Sequence, residues 1–332
     1  MHADCPDPTV CDLSSRAIAH SPVDALSADA LVRLAAQALA AAGGCDEVPL
    51  ACVGLEATHA LRRRIAMRAE LQQAPDEAQF SLAWQPIVSL RSGRIVAFEA
   101  LARWHHPQRG AVPPAEFIAF AESVGLIGRV TRWVVATAAA QLKRWTGMGL
   151  HHIRVCVNVP PSALDDAELE DQMRAVMADG RLRHGQIELE ITERTLARHG
   201  DEALARLQAL RCLGAAVALD DFGTGYSNLA SLSGFPVDTV KIDLRFVQGA
   251  VGSQTDLAIA RAICELARAL DLRVIGEGIE TEDQLAALAR LGCHEGQGYL
   301  ISRPVTADQA EHLLANDRAM VTPAGRRRRG GA

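Results

Sequence analysis

Apolar residues along the central part of the chain fall into two interleaved patterns. Short runs rich in β-branched residues recur at Leu82–Ile87, Ile95–Ala100, Ile153–Val157, Ile187–Ile191, Ala215–Leu219, Thr239–Ile242, Arg273–Ile275 and Gly298–Ile301. Between most of them the apolar positions recur at helical spacing, over Arg129–Arg144, Asp166–Met177, Glu202–Leu213, Leu257–Leu270 and Glu282–Leu291. The first pattern predicts strands and the second helices. Strand-then-helix repetition implies a parallel sheet. About eight strands in about 240 residues favour a closed (β/α)8 barrel over an open doubly wound sheet. No G-x-G-x-x-G follows the first strand and no G-x-x-x-x-G-K-S/T occurs, so dinucleotide and P-loop folds lack their phosphate cradle.

Two flanks lie outside this alternation. Residues 1–56 form an Ala-rich extension with one predicted helix, capped by Ser27, striped by Leu31, Leu34, Ala38 and Leu39, and ended by Gly43-Gly44. A second helix is predicted to start near Thr58, with Leu61 and Ile65 on one face and Arg62 to Arg64 between them. Residues 319–332 carry Arg326 to Arg329 beside glycines and are predicted to be a disordered basic tail. The barrel is therefore expected over residues 57–318.

Composition narrows the classes. The 332 residues carry 34 Lys plus Arg against 40 Asp plus Glu, a net charge of −6. That balance argues against DNA or general nucleic-acid binding, which depends on neutralising many phosphates. No apolar run approaches the ~18–20 residues of a membrane span. The start Met1-His2-Ala3-Asp4-Cys5-Pro6 has neither a basic n-region nor an apolar h-region. The expectation is a soluble, cytoplasmic chain. Its 8 cysteines form no C-x-x-C pair, and Cys156 and Cys212 sit among apolar neighbours, where they are expected to be small core residues. The histidine pairs His105-His106 and His151-His152 read as surface or loop residues and not as a zinc site.

Chemistry enters at the strand ends. Glu99, Asn158, Glu190, Asp220-Asp221, Lys241 and Glu277 each close or follow one of the apolar runs, and Gln297 follows Gly296. In a barrel the C-terminal ends of the strands converge on one face. The carboxylates of Glu99, Glu190, Asp220, Asp221 and Glu277 would repel one another there unless a cation neutralised them. Carboxylate and carboxamide oxygens suit Mg2+ or Mn2+ over zinc. The adjacent pair Asp220-Asp221 is suited to bridging two ions, about 3.5–4 Å apart, that clamp an in-line displacement at phosphorus. Lys241 supplies a fixed cation for the water or the phosphate. These residues read as a metal-dependent phosphoesterase. Ca2+ is expected to inhibit, because its looser coordination polarises water less.

The same residues carry a resemblance. Glu99-Ala100-Leu101-Ala102-Arg103-Trp104 resembles the signature of the EAL-domain cyclic di-GMP phosphodiesterases. So do Trp84-Gln85-Pro86-Ile87, Ala121 to Ile127, Glu190-Ile191-Thr192-Glu193, Asp220 to Ser227, Lys241-Ile242-Asp243, Glu277 to Thr281 and Gln297-Gly298-Tyr299-Leu300. The resemblance covers nearly all of residues 60–316. It implies a modified (β/α)8 barrel whose first strand runs antiparallel to the rest, and hydrolysis of c-di-GMP to linear pGpG with Mg2+ or Mn2+. It implies that Glu99, Asn158, Glu190, Asp220, Asp221 and Glu277 form the metal shell, with Lys241 at the nucleophilic water and Glu277 also the general base. Gln85, Glu99, Leu101, Arg103 and Asp243 would contact substrate. Glu193 would hold the loop Phe222–Asn228, and Gln297 would sit near the metal-bound water. Family barrels often pair, so a homodimer through the region near the loop after Asp221 is also implied. Pro160 departs from the family's usual serine but leaves Asn158 in place. The rival from another class is a non-catalytic c-di-GMP receptor or scaffold, which a complete metal shell disfavours.

Overall fold

A computed structural model describes residues 55–223, 234–316 and 319–321. The helix expected after Ser27, residues 322–332 of the expected tail and most of the loop Phe222–Asn228 lie outside these residues. The chain divides into two compact units, residues 1–71 and 72–332. Helix α1 (Leu55–Gln73) begins three residues before the expected start. Among its described side chains Ile65 is exposed, and Met67 and Leu71 are buried.

The second unit is a barrel. Its strands are β1 (Phe80–Ser89), β2 (Ile95–His106), β4 (Arg154–Asn158), β5 (Ile187–Thr192), β6 (Ala216–Phe222), β7 (Thr239–Ile242), β8 (Arg273–Gly276) and β9 (Glu295–Gly296). They pair in the order β1-β9-β8-β7-β6-β5-β4-β2, and an additional β1–β2 pairing closes the circle. β1 is antiparallel to both neighbours, while β2, β4 and the strands through β9 run parallel. The expected inverted first strand is present. A short β3 (Gly110–Val112) folds back on the end of β2. His106 makes that turn: its Nδ1 accepts from the backbone N–H groups of Gln108 (3.1 Å) and Arg109 (3.2 Å). It is buried at the end of β2, where the sequence predicts a surface or loop residue.

Helices α2 (Pro114–Ser123), α3 (Ile127–Gly147), α4 (Pro161–Leu164), α5 (Ala167–Met177), α6 (Glu193–Cys212), α7 (Leu244–Gly249), α8 (Gln254–Ala269), α9 (Glu282–Leu291) and α10 (Ala307–Ala315) connect the strands. On α3 the residues Ile127, Val130, Val134, Ala138, Leu142 and Trp145 are buried, a stripe at three- and four-residue spacing. Local chemistry fixes the starts. Thr281 and Gln284 form a capping box on α9, as Thr306 and Gln309 do on α10. Asp166, Asp243 and Ser253 cap α5, α7 and α8.

Two assignments need correction. The eighth barrel strand is Glu295–Gly296 and not Gly298–Ile301, which forms a turn through Ile301 N–H to Gly298 C=O (3.0 Å). A side chain at Gly298 would run into the Ile279 backbone, so glycine is needed for this close approach. Cys212 is exposed, whereas Cys156 is buried as expected.

Side chains alternate in direction along each strand, so residues two apart line the barrel interior in layers. Ile87, Ala97, Cys156 and Ile275 form a buried apolar layer. On the same faces, toward the strand N-termini, lie Arg154, Glu188, Thr239, Arg273 and Glu295. Toward the C-termini lie Asn158, Glu190, Lys241, Glu277 and Gln297.

Candidate active site

Glu99 is inside β2, because that strand continues past the barrel rim to His106. Its two oxygens are held by two amides: Asn158 Nδ2 donates to Oε1 at 2.6 Å and Gln297 Nε2 to Oε2 at 2.6 Å. Residues from β2, β4 and the segment after β9 are thereby tied at one rim. Gln85 faces Glu99 across the β1–β2 ladder and donates to the Ser302 carbonyl at 3.4 Å.

Lys241 lies at the centre, 1 % exposed. Its Nζ is 2.6 Å from Glu277 Oε1, 2.9 Å from Glu190 Oε1 and 3.3 Å from Asp220 Oδ1. Burial alone would discharge this ammonium, but the carboxylates of Asp220, Glu190, Glu277 and Glu99 hold its pKa well above the usual lysine value. One ammonium does not balance so many acids. Burial first, and then the neighbouring acids, pushes Glu190 well above the ordinary carboxylate range despite Lys241. Burial likewise raises Glu277 to about 8, with Lys241 opposing and Asp220 and Glu99 adding to the rise. Asp221 is raised by burial and by Asp220 and Asp243 beside it.

The Asp pair poses a geometric problem, since adjacent residues in a regular strand point to opposite faces. Backbone distortion resolves it. Asp221 has φ +54°, and the β6–β7 register shifts between Leu219 and Phe222. Such a conformation costs roughly 1–3 kcal/mol for a non-glycine residue and is characteristic of functional sites. Carboxylate oxygens of Asp220, Asp221 and Glu277 lie within 4.8 Å of one another. Both oxygens of Glu190, Oδ1 of Asp220 and Oε1 of Gln297 are buried without a hydrogen bond among the described residues, although Lys241 pairs electrostatically with Glu190 and Asp220. An excess of hard oxygen donors, several orphaned, fits a divalent cation.

The remaining expected residues surround this cluster. Arg103 is half-buried and donates to the Ala102 carbonyl at 2.9 Å; burial lowers its pKa while Glu99 opposes the shift. Leu101 lies two residues from it on β2, partly buried. Asp243 caps α7 through the Arg245 N–H at 3.0 Å. Glu193 is the first residue of α6 and not a strand residue; it is buried, with Oε2 unpartnered among the described residues. A cleft of about 290 Å3 opens beside Gln85, Glu99, Glu277 and Gln297, and Tyr299 and Glu280 are among the other residues of its wall. Sequence reasoning placed neither Tyr299 nor Glu280 at the site. The guanidinium of Arg303 lies 4.2 Å from the Tyr299 ring centre, and the aromatic four residues before a cation was the available signal.

The EAL domain model matches residues 68–304. The chain belongs to the EAL domain family. It is 40% identical over 252 residues to the Pseudomonas aeruginosa cyclic di-GMP phosphodiesterase NbdA, covering 76% of this chain and 32% of NbdA. Among solved structures, the PaMucR phosphodiesterase in complex with c-di-GMP superposes with a TM-score of 0.69 at 36% identity, covering 74% of this chain and 99% of that one. The EAL domain of Mycobacterium smegmatis DcpA gives 0.63 at 35% identity, covering 72% and 99%. The chain spans about a third of the length of the curated relatives it matches. Among the described residues no helix is long and apolar enough to cross a membrane.

Proposed function

We propose that this chain hydrolyses c-di-GMP to linear pGpG and so lowers a cytoplasmic second messenger, with residues 57–318 as the catalytic barrel and residues 1–56 as an extension to it. The observation that carries the reading is the barrel mouth itself, where an excess of buried carboxylates surrounds one lysine beside an open cleft. Family membership supports it, as does the c-di-GMP named in the structure of PaMucR.

Glu99, Asn158, Glu190, Asp220, Asp221 and Glu277 would hold two Mg2+ or Mn2+ ions. Bound there, such ions would supply Lewis acidity and a water deprotonated near neutral pH. The chain's own groups do the rest. Asn158 and Gln297 fix the Glu99 carboxylate before any ligand arrives, so no reorganisation is needed at the moment of reaction. Lys241 Nζ is a fixed positive charge positioned for the attacking water. The Glu277 carboxylate accepts that water's proton. Arg103, whose planar fork matches a phosphate, and Gln85, Leu101 and Asp243 orient the dinucleotide. Glu193 holds the loop after Asp221 in its working shape. A homodimer through the surface near that loop completes the reading, and light scattering across a concentration range tests it.

The deciding experiment is incubation of purified protein with c-di-GMP and Mg2+ or Mn2+, followed by separation of the nucleotides. Accumulating pGpG supports the proposal. Undiminished c-di-GMP under both metals, with binding retained, replaces it by a receptor.

A further inference from the structure

Beneath the site lies a second polar cluster that the proposed chemistry does not use. Glu188 on β5 is 0 % exposed. Its Oε1 accepts from Arg273 Nη1 at 3.1 Å and from Thr239 Oγ1, and its Oε2 lies 3.4 Å from Arg154 Nε. Arg154 also grips Glu295 through both terminal nitrogens, at 2.6 and 3.2 Å. Arg273 Nε reaches the same Glu295 at 3.6 Å and its Nη1 donates to Thr239 Oγ1 at 3.1 Å. Two guanidiniums and two carboxylates thus cross-link β4, β5, β8 and β9, with β7 joined through Thr239.

Each of these residues shares a strand face with a residue of the site. Arg154 precedes Asn158 by four positions, Glu188 precedes Glu190 by two, Thr239 precedes Lys241 by two, Arg273 precedes Glu277 by four and Glu295 precedes Gln297 by two. At about 3.3 Å per residue the two layers are roughly 7–13 Å apart along a strand. The strands between them are buried on both faces, as in β5 and β7. A two-residue slip keeps every side chain on its own face and exchanges one apolar side chain for another, so the apolar alternation alone does not exclude it. Charge does not tolerate that slip. Moving β8 by two residues would carry Arg273 away from Glu188 and Thr239 to the place of Ile275, in the apolar layer and opposite Lys241 in the β7–β8 register, where a second cation would lack its partner.

We infer that Arg154, Glu188, Arg273 and Glu295 are positioning residues: their ionic layer locks the register of the strands that carry Asn158, Glu190, Lys241, Glu277 and Gln297, and so sets the spacing of the metal-binding oxygens. The inference rests on the phosphodiesterase reading for its catalytic consequence, but metal binding tests it without substrate.

The test is an apolar replacement of the whole layer, Arg154→Met, Glu188→Leu, Arg273→Met and Glu295→Leu. Exchanging a buried ion network for apolar side chains of similar size often leaves stability unchanged or higher. A merely structural plug therefore predicts a stable variant with an intact site. Positioning predicts that the folded variant binds Mn2+ about 10–100-fold more weakly in a titration of metal-free protein, as when supporting residues of a metal site are lost. At saturating Mn2+ its kcat falls about tenfold or more while KM for c-di-GMP moves less than about threefold. Arg273→Lys, which keeps the charge but loses the fork, should fall between the two and is the readout if the fourfold variant does not fold. Wild-type Mn2+ affinity in either folded variant overturns the inference. A wild-type protein that binds Mn2+ yet leaves c-di-GMP intact overturns the function instead, and the Mn2+ comparison still stands.

Discussion

The two polar ends of the barrel interior are built from the same residue types and behave in opposite ways. Toward the strand N-termini, Arg154 and Arg273 balance Glu188 and Glu295, each charge within 3.6 Å of an opposite one. Burial alone would raise the Glu188 carboxyl, but Arg154 and Arg273 hold it below its ordinary value. Toward the C-termini, Lys241 faces Glu190, Asp220 and Glu277 at once, and the balance stays negative. Glu190, Asp221 and Glu277 are all pushed upward. The lower end is complete as folded, while the upper end keeps an excess of acids that a divalent cation could balance. Destabilised clusters of this kind mark functional sites, and self-satisfied ones mark structure.

The comparison is broken most severely at Asp220. Asp220→Asn should reduce turnover of c-di-GMP on the order of 10³-fold, about 4 kcal/mol of barrier, because an amide is a neutral and weaker ligand. In metal-free protein the same change removes a like charge, so Tm should hold or rise. Steady-state rates and melting curves of the two proteins check both halves. A variant that is both slower and markedly less stable without metal would show that Asp220 is a structural partner of Lys241.

Glu188→Gln should do the reverse. Removing one member of a buried pair costs about 3–5 kcal/mol, here by leaving two buried guanidiniums to share Glu295 alone. For a barrel of this size that lowers Tm by roughly 6–20 °C, read by differential scanning calorimetry with and without Mg2+. A shift below about 2 °C would mean that water or relaxation already serves the arginines.

How much of this the sequence carried depends on whether a signal was local. Strand faces and helix caps are local, so the alternation of patterns was enough for the barrel, and Glu99 through Glu277 stood out because a charge ends an apolar run. The inversion of β1 came from the family resemblance alone. Glu188 was hidden although it sits two residues before Glu190, because its partners lie on β4 and β8, 34 and 85 residues away. Gly298–Ile301 misled for the same reason: its apolar letters look like a strand until the Ile279 backbone is packed against Gly298. Asp221 was read as a ligand, but nothing local announces the positive φ that turns it toward Asp220.

A smaller effect is expected at Glu193, which belongs to the upper end without facing Lys241. If it supports the loop after Asp221, Glu193→Ala should fold normally, retain metal binding and lose about 10–100-fold in turnover. Single-turnover rates at saturating Mn2+ decide the point. Recovery of the wild-type rate once metal saturates would reassign Glu193 to metal retention.

The finest test of the contrast is the pH dependence of stability without metal. Glu277 titrates at about 8 in the folded chain, against about 4.3 for an unperturbed glutamate. Between these values the folded state binds more protons than the unfolded one, so this group's contribution falls as pH rises. It is fully present below the ordinary glutamate pKa and lost as pH rises through about 8. Glu188, depressed, works the other way, and its contribution is lost only as pH falls toward and below the ordinary range. The comparison is made against Glu277→Gln, whose amide imitates the protonated acid, so that every other group is common to the two proteins. In chelator the two proteins should melt together near pH 5, and the variant should melt a few °C higher near pH 8. Saturating Mg2+ should reverse the order at pH 8, since the ion replaces the proton in the wild type and the amide holds it poorly. Melting curves that stay parallel from pH 5 to pH 8 in chelator would mean that Glu277 is already ionised in the folded chain, with Lys241 alone sufficient to balance it.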